Sequence, residues 1–259
     1  SGGIGIAYAD NNIVNKNTIS KSIFAITIGE ESSQNTVEEN TASESEIGIL
    51  MLDNSHNNKF ASNEISNNGI GIICFGSNNN QFLKNHITNS SDQSLHLVQS
   101  NNSIVARNNL LNNSYDILLS MTENNTVYHN NFIDNSNQVY LYQAVDTKWD
   151  DGYPSGGNYW SDYSGVDVYS GPNQDETGID GIGDTPYIID GDNQDDYPLM
   201  NSWSLPWGNW SHYHNYMEIV RTLLYLNETY PNIVDMFSIG KSWLDQDIYC
   251  IRLTNESNT

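Results

Sequence analysis

Residues 58–85 read NKFASNEISNNGIGIICFGSNNNQFLKN, and the end of this stretch repeats its beginning. Asn58-x-Phe60 is answered by Asn80-x-Phe82, and Asn63 by Asn85, in both cases 22 residues on. Outward from here the second series extends to Asn17, Asn40, Asn63, Asn85, Asn108 and Asn130, at steps of 23, 23, 22, 23 and 22. The first extends to Asn12-x-Val14, Asn35-x-Val37, Asn102-x-Ile104 and Asn125-x-Val127. A third series pairs apolar residues across one position: Ile4/Ile6, Ile26/Ile28, Ile47/Ile49, Ile70/Ile72, Leu95/Leu97, Ile117/Leu119 and Val139/Leu141. Each period therefore holds three short strands. Three strands per turn wind a solenoid in which inward aliphatics stack coil on coil. Asparagine suits its corners, because it tolerates left-handed backbone and its amide can bond the equivalent amide one coil away. Helical repeats of this period would need 3.6-residue apolar spacing, which the sequence lacks. Six to seven coils, about 4.8 Å apart, predict a rod roughly 30 Å long.

Composition agrees with a repeat. The 259 residues include 39 Asn, and only 16% are charged, so amides supply the polarity. Nine Lys and Arg against 32 Asp and Glu give a net charge of −23. That field repels phosphate backbones and anionic lipid, which argues against nucleic acid and membrane-surface partners. No apolar stretch reaches the roughly 18 residues of a membrane span, and the opening Ser1-Gly-Gly-Ile4 has neither a Met nor a signal-like core, as expected of a piece of a longer protein. Cys74 and Cys250 lie in separate apolar runs and read as buried free thiols.

Over residues 1–143 these motifs resemble the right-handed parallel β-helix of the NosD and pectate-lyase-like superfamily, with the related cap taking the resemblance to about residue 200. The resemblance implies an all-β fold and leaves the chemistry open. A glycan hydrolase on such a rod needs two carboxylates on one face. The residues before the corner asparagines run Lys16, Glu39, Ser62, Lys84, Arg107 and His129, which is one Lys–Glu contact and then a basic stack that reads as a solvated face. Those after run Thr18, Thr41, Glu64, His86, Asn109 and Asn131. Neither set pairs two acids. Copper, suggested by the NosD resemblance, would want clustered soft ligands, but His56, His86, His96 and His129 differ in register, and Met51 and Met121 stand apart.

Residues 144–200 break the period and form an acidic Asp/Gly/aromatic cap segment, with Lys148 the only cation against 13 acids. Gly157-Asn158-Tyr159-Trp160, Asp180-Gly-Ile-Gly-Asp184 and Asp195-Asp196-Tyr197 resemble the segment that follows β-helices of this type in surface proteins, where it would cover the last coil's open edge. Carboxylates in Gly-rich turns suit calcium, and Asp175, Asp180, Asp184, Asp190, Asp192 and Asp195 are the candidate ligands.

Residues 201–212 read as an aromatic linker. Tyr216, Ile219, Val220, Leu223 and Leu226 then form one helical stripe, followed by strand-like runs at Val234–Ile239 and Ile248–Leu253. Tyr213-His-Asn-Tyr216-x-Glu218-Ile219, Tyr230-Pro-Asn-Ile-Val234 and Ser238-Ile-Gly-Lys-Ser242 resemble the opening of carboxypeptidase A-type zinc carboxypeptidases, so residues 213–259 read as an incomplete α/β segment of that domain. The resemblance implies zinc and peptide substrates for a parent enzyme. The family's His-x-x-Glu zinc pair is absent from these 259 residues, so no catalytic residue is assigned here. A spacer or adhesion module on a secreted or cell-surface enzyme is the first expectation. Asn-x-Ser/Thr sequons at Asn89, Asn101, Asn112, Asn124, Asn209, Asn227 and Asn255 accord with that setting. A glycan- or surface-polymer-binding β-helix, with Tyr115, Tyr128, Tyr140 and Tyr142 along a groove, is the alternative.

Overall fold

The computed structural model describes residues 2–52, 54–203, 216–243 and 247–254. It is a parallel β-solenoid. Three sheets run along the rod, and each coil gives one strand to each. Sheet A has seven strands, from Ile4–Ala7 to Asn137–Tyr142; sheet B has six, from Ile13–Asn15 to Thr126–Tyr128; sheet C has seven, from Thr18–Ser20 to Tyr159–Trp160. Equivalent residues one coil apart are register partners throughout, as in Val14↔Val37↔Phe60↔Phe82.

The core is a set of columns. On sheet A one column runs Ile4, Ile26, Ile49, Ile72, Leu95, Ile117, Val139, and its neighbour Ile6, Ile28, Met51, Cys74, Leu97, Leu119, Leu141. From the second coil to the sixth these side chains are fully shielded from solvent. Each such aliphatic contributes about 1.5–3 kcal/mol through burial. Sheet B adds the stacked rings of Phe60 and Phe82, with centroids 5.2 Å apart. Gly48 is required for space: a Cβ there would lie 2.6 Å from the Gly71 carbonyl and 2.8 Å from Ile65.

Three features differ from the sequence expectation. The pairs Ile47/Ile49 and Ile70/Ile72 are not both core pairs; Ile47 and Ile70 sit on the outer face, and Met51 and Cys74 complete the inner column. In the fifth coil the inward residue of sheet B is Val105, because Ile104 pairs with outward Gln81; the corner residue is Ser103, one place beyond Asn102. Left-handed backbone falls on the residue before the corner asparagine: Lys16, Glu39, Ser62, Lys84, Arg107 and His129 have φ of 53–60°. The asparagine itself makes the ladder. Each corner Oδ1 accepts the backbone N–H of its predecessor, from Asn17 to Asn40 onward, at 2.9–3.0 Å.

The ladder also passes the boundary at 143. Asn130 donates to Asn158, 28 residues on. Val145 and Lys148 bridge to Glu123 and Thr126, and Tyr159–Trp160 pairs with Asn131–Phe132, so a seventh, irregular coil is built from the start of the acidic segment. Trp160 closes the column by stacking between Phe132 and Tyr187, at 4.1 and 4.2 Å. Beyond it, two short antiparallel ladders and a small cluster of Ile182, Leu199 and Trp203 form the cap.

The tail holds a helix, Tyr216–Thr229, and an antiparallel pair, Val234–Lys241 with Asp247–Leu253. Tyr213, His214 and all of the linker beyond Trp203 lie outside the described residues. Both cysteines are free thiols, Cys74 buried and Cys250 half-buried. Burial pushes the Cys74 thiol up to about 12.

Candidate functional site

The corner between sheets B and C projects the residues before the asparagines in a row along the rod. Lys16 and Glu39 pair at 3.3 Å on the surface, and His86 Nε2 lies 3.8 Å from Glu64. Further along, the basic stack is covered by aromatic side chains, contrary to its reading as a solvated face. His129 is buried, its ring stacked on Trp203 with centroids 3.6 Å apart. Its Nε2 lies 3.0 Å from the Ser155 carbonyl, and the Ser155 hydroxyl in turn donates to Asp151 at 2.7 Å. Arg107 lies 5.8 Å from the rings of both Trp203 and Tyr225, and Lys84 lies 4.9 Å from Tyr225. Cations over aromatic faces are held by the ring quadrupole. Asn131 fixes Trp203 by bonding both its N–H and its carbonyl. A groove of about 650 Å³ runs beside this cluster, lined by Lys84, His86, Arg107, Asn109, Asn131 and Trp203 among others.

The six cap aspartates do not share a centre. Asp180 takes the Ile182 N–H and the Gln174 amide, and burial holds its carboxyl above the usual range. Asp184 accepts from the backbone of Val168 and Tyr169. Asp190 closes its own turn by accepting from Asp192, Asn193 and the Asn193 side chain, bonds that hold its carboxyl low. Asp175 and Asp192 are exposed. Asp195 is fully buried: Oδ2 accepts the Asn158 N–H at 2.7 Å and Trp160 Nε1 at 2.9 Å, and Oδ1 accepts the Tyr197 N–H at 3.1 Å. Desolvation nonetheless raises its pKa to about 7. This carboxyl terminates the asparagine ladder and pins the closing tryptophan. Gly157 must lack a side chain, because a Cβ would overlap that carboxylate. The sequence hinted at this arrangement, since Asn158-Tyr159-Trp160 copies Asn130-Asn131-Phe132, but the 28-residue step hid it.

A second buried acid, Asp116, lies at the sheet A end of the corner formed by Asn113. Oδ1 accepts from the Asn113 amide at 2.9 Å, Oδ2 has no hydrogen-bond partner, and burial raises the pKa well above the carboxylate range.

Soft donors are dispersed. His56 accepts the Asn78 N–H through Nδ1, His96 lies against Phe75, and His129 is held as described. Burial lowers the pKa of His96 against the opposing pull of Asp92. Met51 is in the core, and Met121 is exposed at a corner. Among the described residues no three His, Cys, Asp or Glu side chains are grouped to hold a metal ion, so the donors present do not fit a copper centre. The four tyrosines divide as well: Tyr115, Tyr140 and Tyr142 lie on sheet A, Tyr128 on sheet B beside His129.

Among the described residues no helix is long and apolar enough to cross a membrane. Comparison with curated proteins gives no match. The family model described as periplasmic copper-binding protein (NosD) matches residues 1–165, the stretch that holds every coil described above, the irregular seventh included. With that match over more than half of its length, and the asparagine-cornered parallel solenoid beneath it, the chain belongs to the NosD family.

Proposed function

We propose that this chain is the β-helical module of an exported zinc metallocarboxypeptidase, a spacer that sets the enzyme off from the surface or matrix where it works. The observation that carries this reading is the order of the tail: the motif residues from Tyr216 to Ser242 run through a helix, Tyr216–Thr229, and into an antiparallel pair, the order expected of the opening of such a domain. A mechanical role is supported by the corners, where neither the residues before the asparagines nor those after them place two acids on adjacent coils as glycan cleavage would need. Export is supported by the periplasmic description of the family and by sequons at Asn89, Asn112 and Asn124, all exposed at corners. Zinc would be held by a His-x-x-Glu pair and a later His beyond the residues present here, and the substrates would be peptides with a free C-terminal carboxylate.

The test is the parent protein. Its reading frame should carry His-x-x-Glu within about 30 residues after Thr259, and the purified protein should release C-terminal amino acids from peptides and lose that activity with a zinc chelator. Deleting residues 1–200 should leave turnover of a short soluble peptide unchanged. A parent without the pair, or without zinc, sinks the proposal. A second reading, recognition of an acidic glycan, is favoured by one observation, the groove that sets Lys84, His86 and Arg107 beside Trp203. Selective retention of uronate-containing glycans on an array would support it.

A further inference from the structure

The outer face of sheet A is apolar along most of the rod. Its middle column runs Thr27, Leu50, Ile73, His96, Leu118, Tyr140. One flank runs Phe24, Ile47 and Ile70 and then turns polar at Gln93, Tyr115 and Asn137, and the other runs Phe75, Val98, Ser120, Tyr142. Leu50 and Ile73 point outward yet are only 6% and 5% exposed, because the flanking columns close over them. Phe24, Phe75, Tyr140 and Tyr142 remain 41, 38, 49 and 50% exposed. Together the exposed side chains of these columns form a contiguous strip along the outer face, and such apolar patches are often functional. The seven strands of sheet A contain no Lys or Arg. Exposed acids stand on the borders: Glu46 and Asp92 before the strands, Glu30, Glu31 and Glu123 after them.

We propose that this face is a docking surface for a polypeptide whose own apolar face is bordered by lysine or arginine. The border charges select that occupant. A second copy would bring acidic edges and two chains of net charge −23 together, and an anionic bilayer would meet the same repulsion. A neutral glycan needs hydrogen-bond partners for its hydroxyls, and the centre of the strip offers leucine and isoleucine. Apolar contact supplies the area, and charge complementarity the orientation and encounter rate. This inference is independent of the metallocarboxypeptidase reading.

The whole chain should be titrated, by fluorescence anisotropy at low and moderate salt, with two labelled synthetic peptides. Both carry alternating leucine and threonine; one is bordered by lysines and the other by glutamates. The lysine peptide should bind at least tenfold more tightly, and salt should weaken it. The double variant Phe75→Ser/Leu118→Thr should abolish binding while its melting curve stays within a few degrees of the parent's. Ile13→Thr, on an exposed position of sheet B, should leave binding intact. Equal affinity for both peptides, no binding of either, or binding that survives the double variant would overturn the proposal. So would concentration-dependent self-association, retention on cellulose or chitin, or uptake by phosphatidylserine vesicles, if the same double variant removed it.

Discussion

Replacing Asn85 by alanine tests the asparagine ladder in the middle of the rod. Asn85 Oδ1 accepts the backbone N–H and the Nδ2 of Asn63, both at 3.0 Å, while its own Nδ2 donates to the Phe60 carbonyl at 2.9 Å and to Asn108 Oδ1 at 3.0 Å. Some partners keep another bond: Asn63 Nδ2 still reaches the Val37 carbonyl, and Asn108 Oδ1 still takes the Asn85 N–H. The Asn63 N–H loses its acceptor inside a fully shielded corner. A buried donor so stranded costs about 1–3 kcal/mol, and the further bonds lost, to Asn63 Nδ2, Phe60 and Asn108, about 1 kcal/mol each, so Asn85→Ala should destabilise the rod by about 4–6 kcal/mol. Asn17 is the internal control. It stands in the first coil, half-exposed, and the side-chain bonds it makes are two donated ones, to Asn15 and Asn40. Water can replace part of these, and Asn17→Ala should cost about 1 kcal/mol or less. Urea unfolding of the full chain followed by far-ultraviolet circular dichroism gives both numbers. Equal losses in the two variants, or a loss under about 1 kcal/mol at Asn85, would refute the view that buried amides hold the coils in register.

Asp116→Asn should stabilise the rod more at pH 7 than at pH 4, because burial penalises the ionised carboxylate in the folded chain and the amide carries no charge; a gain no larger at pH 7 than at pH 4 would argue against that. Asp195 works in the same direction: its pKa of about 7 exceeds the ordinary 3.8, so its contribution is complete below about pH 4 and is lost as pH rises through 7. Thermal unfolding followed by tryptophan fluorescence should therefore report a cap that loses stability between about pH 4 and 7, and a gain over that range would contradict the assignment. A calcium chelator should leave the melting curve unchanged, since Asp180, Asp184, Asp190 and Asp195 each serve their own backbone donors; a clear drop, with calcium heat in calorimetry, would return these aspartates to a metal site. Cys74 should resist thiol reagents until the rod unfolds, given its burial and a pKa of about 12, and modification of the native chain within minutes would mean that the column breathes.

The repeat was legible because its corners are written in one residue type at a nearly fixed step. Where legibility failed, two physical solutions had the same spelling. Strict alternation in Ile47-Gly-Ile49-Leu-Met51 would turn all three odd-numbered residues inward, but Gly48 itself faces the core beside Ile65, which breaks the alternation and leaves Ile47 outside. The step from Asn102 to Ser103 was invisible because a serine hydroxyl accepts the Asn80 N–H as an amide oxygen does elsewhere. The cap aspartates read as calcium candidates, and sequence alone does not separate turns that bond their own N–H groups from turns that bond an ion, because both use the same short acids and glycines. The cover over Lys84, Arg107 and His129 comes from Trp203 and Tyr225, 74 or more residues away from their stacking partners (203 − 129 = 74), a distance no local pattern spans.

All six tryptophans, at 149, 160, 203, 207, 210 and 243, lie beyond the sixth coil. The two in the closing stack, Trp149 and Trp160, are among the most deeply buried side chains of the molecule. The first six coils thus carry no tryptophan of their own, and the emission of Trp149 and Trp160 belongs to the closing end. In a stack where each coil touches only its neighbours, melting proceeds as a front, so the delay between loss of the backbone signal and loss of tryptophan emission reads out which end the front sets out from.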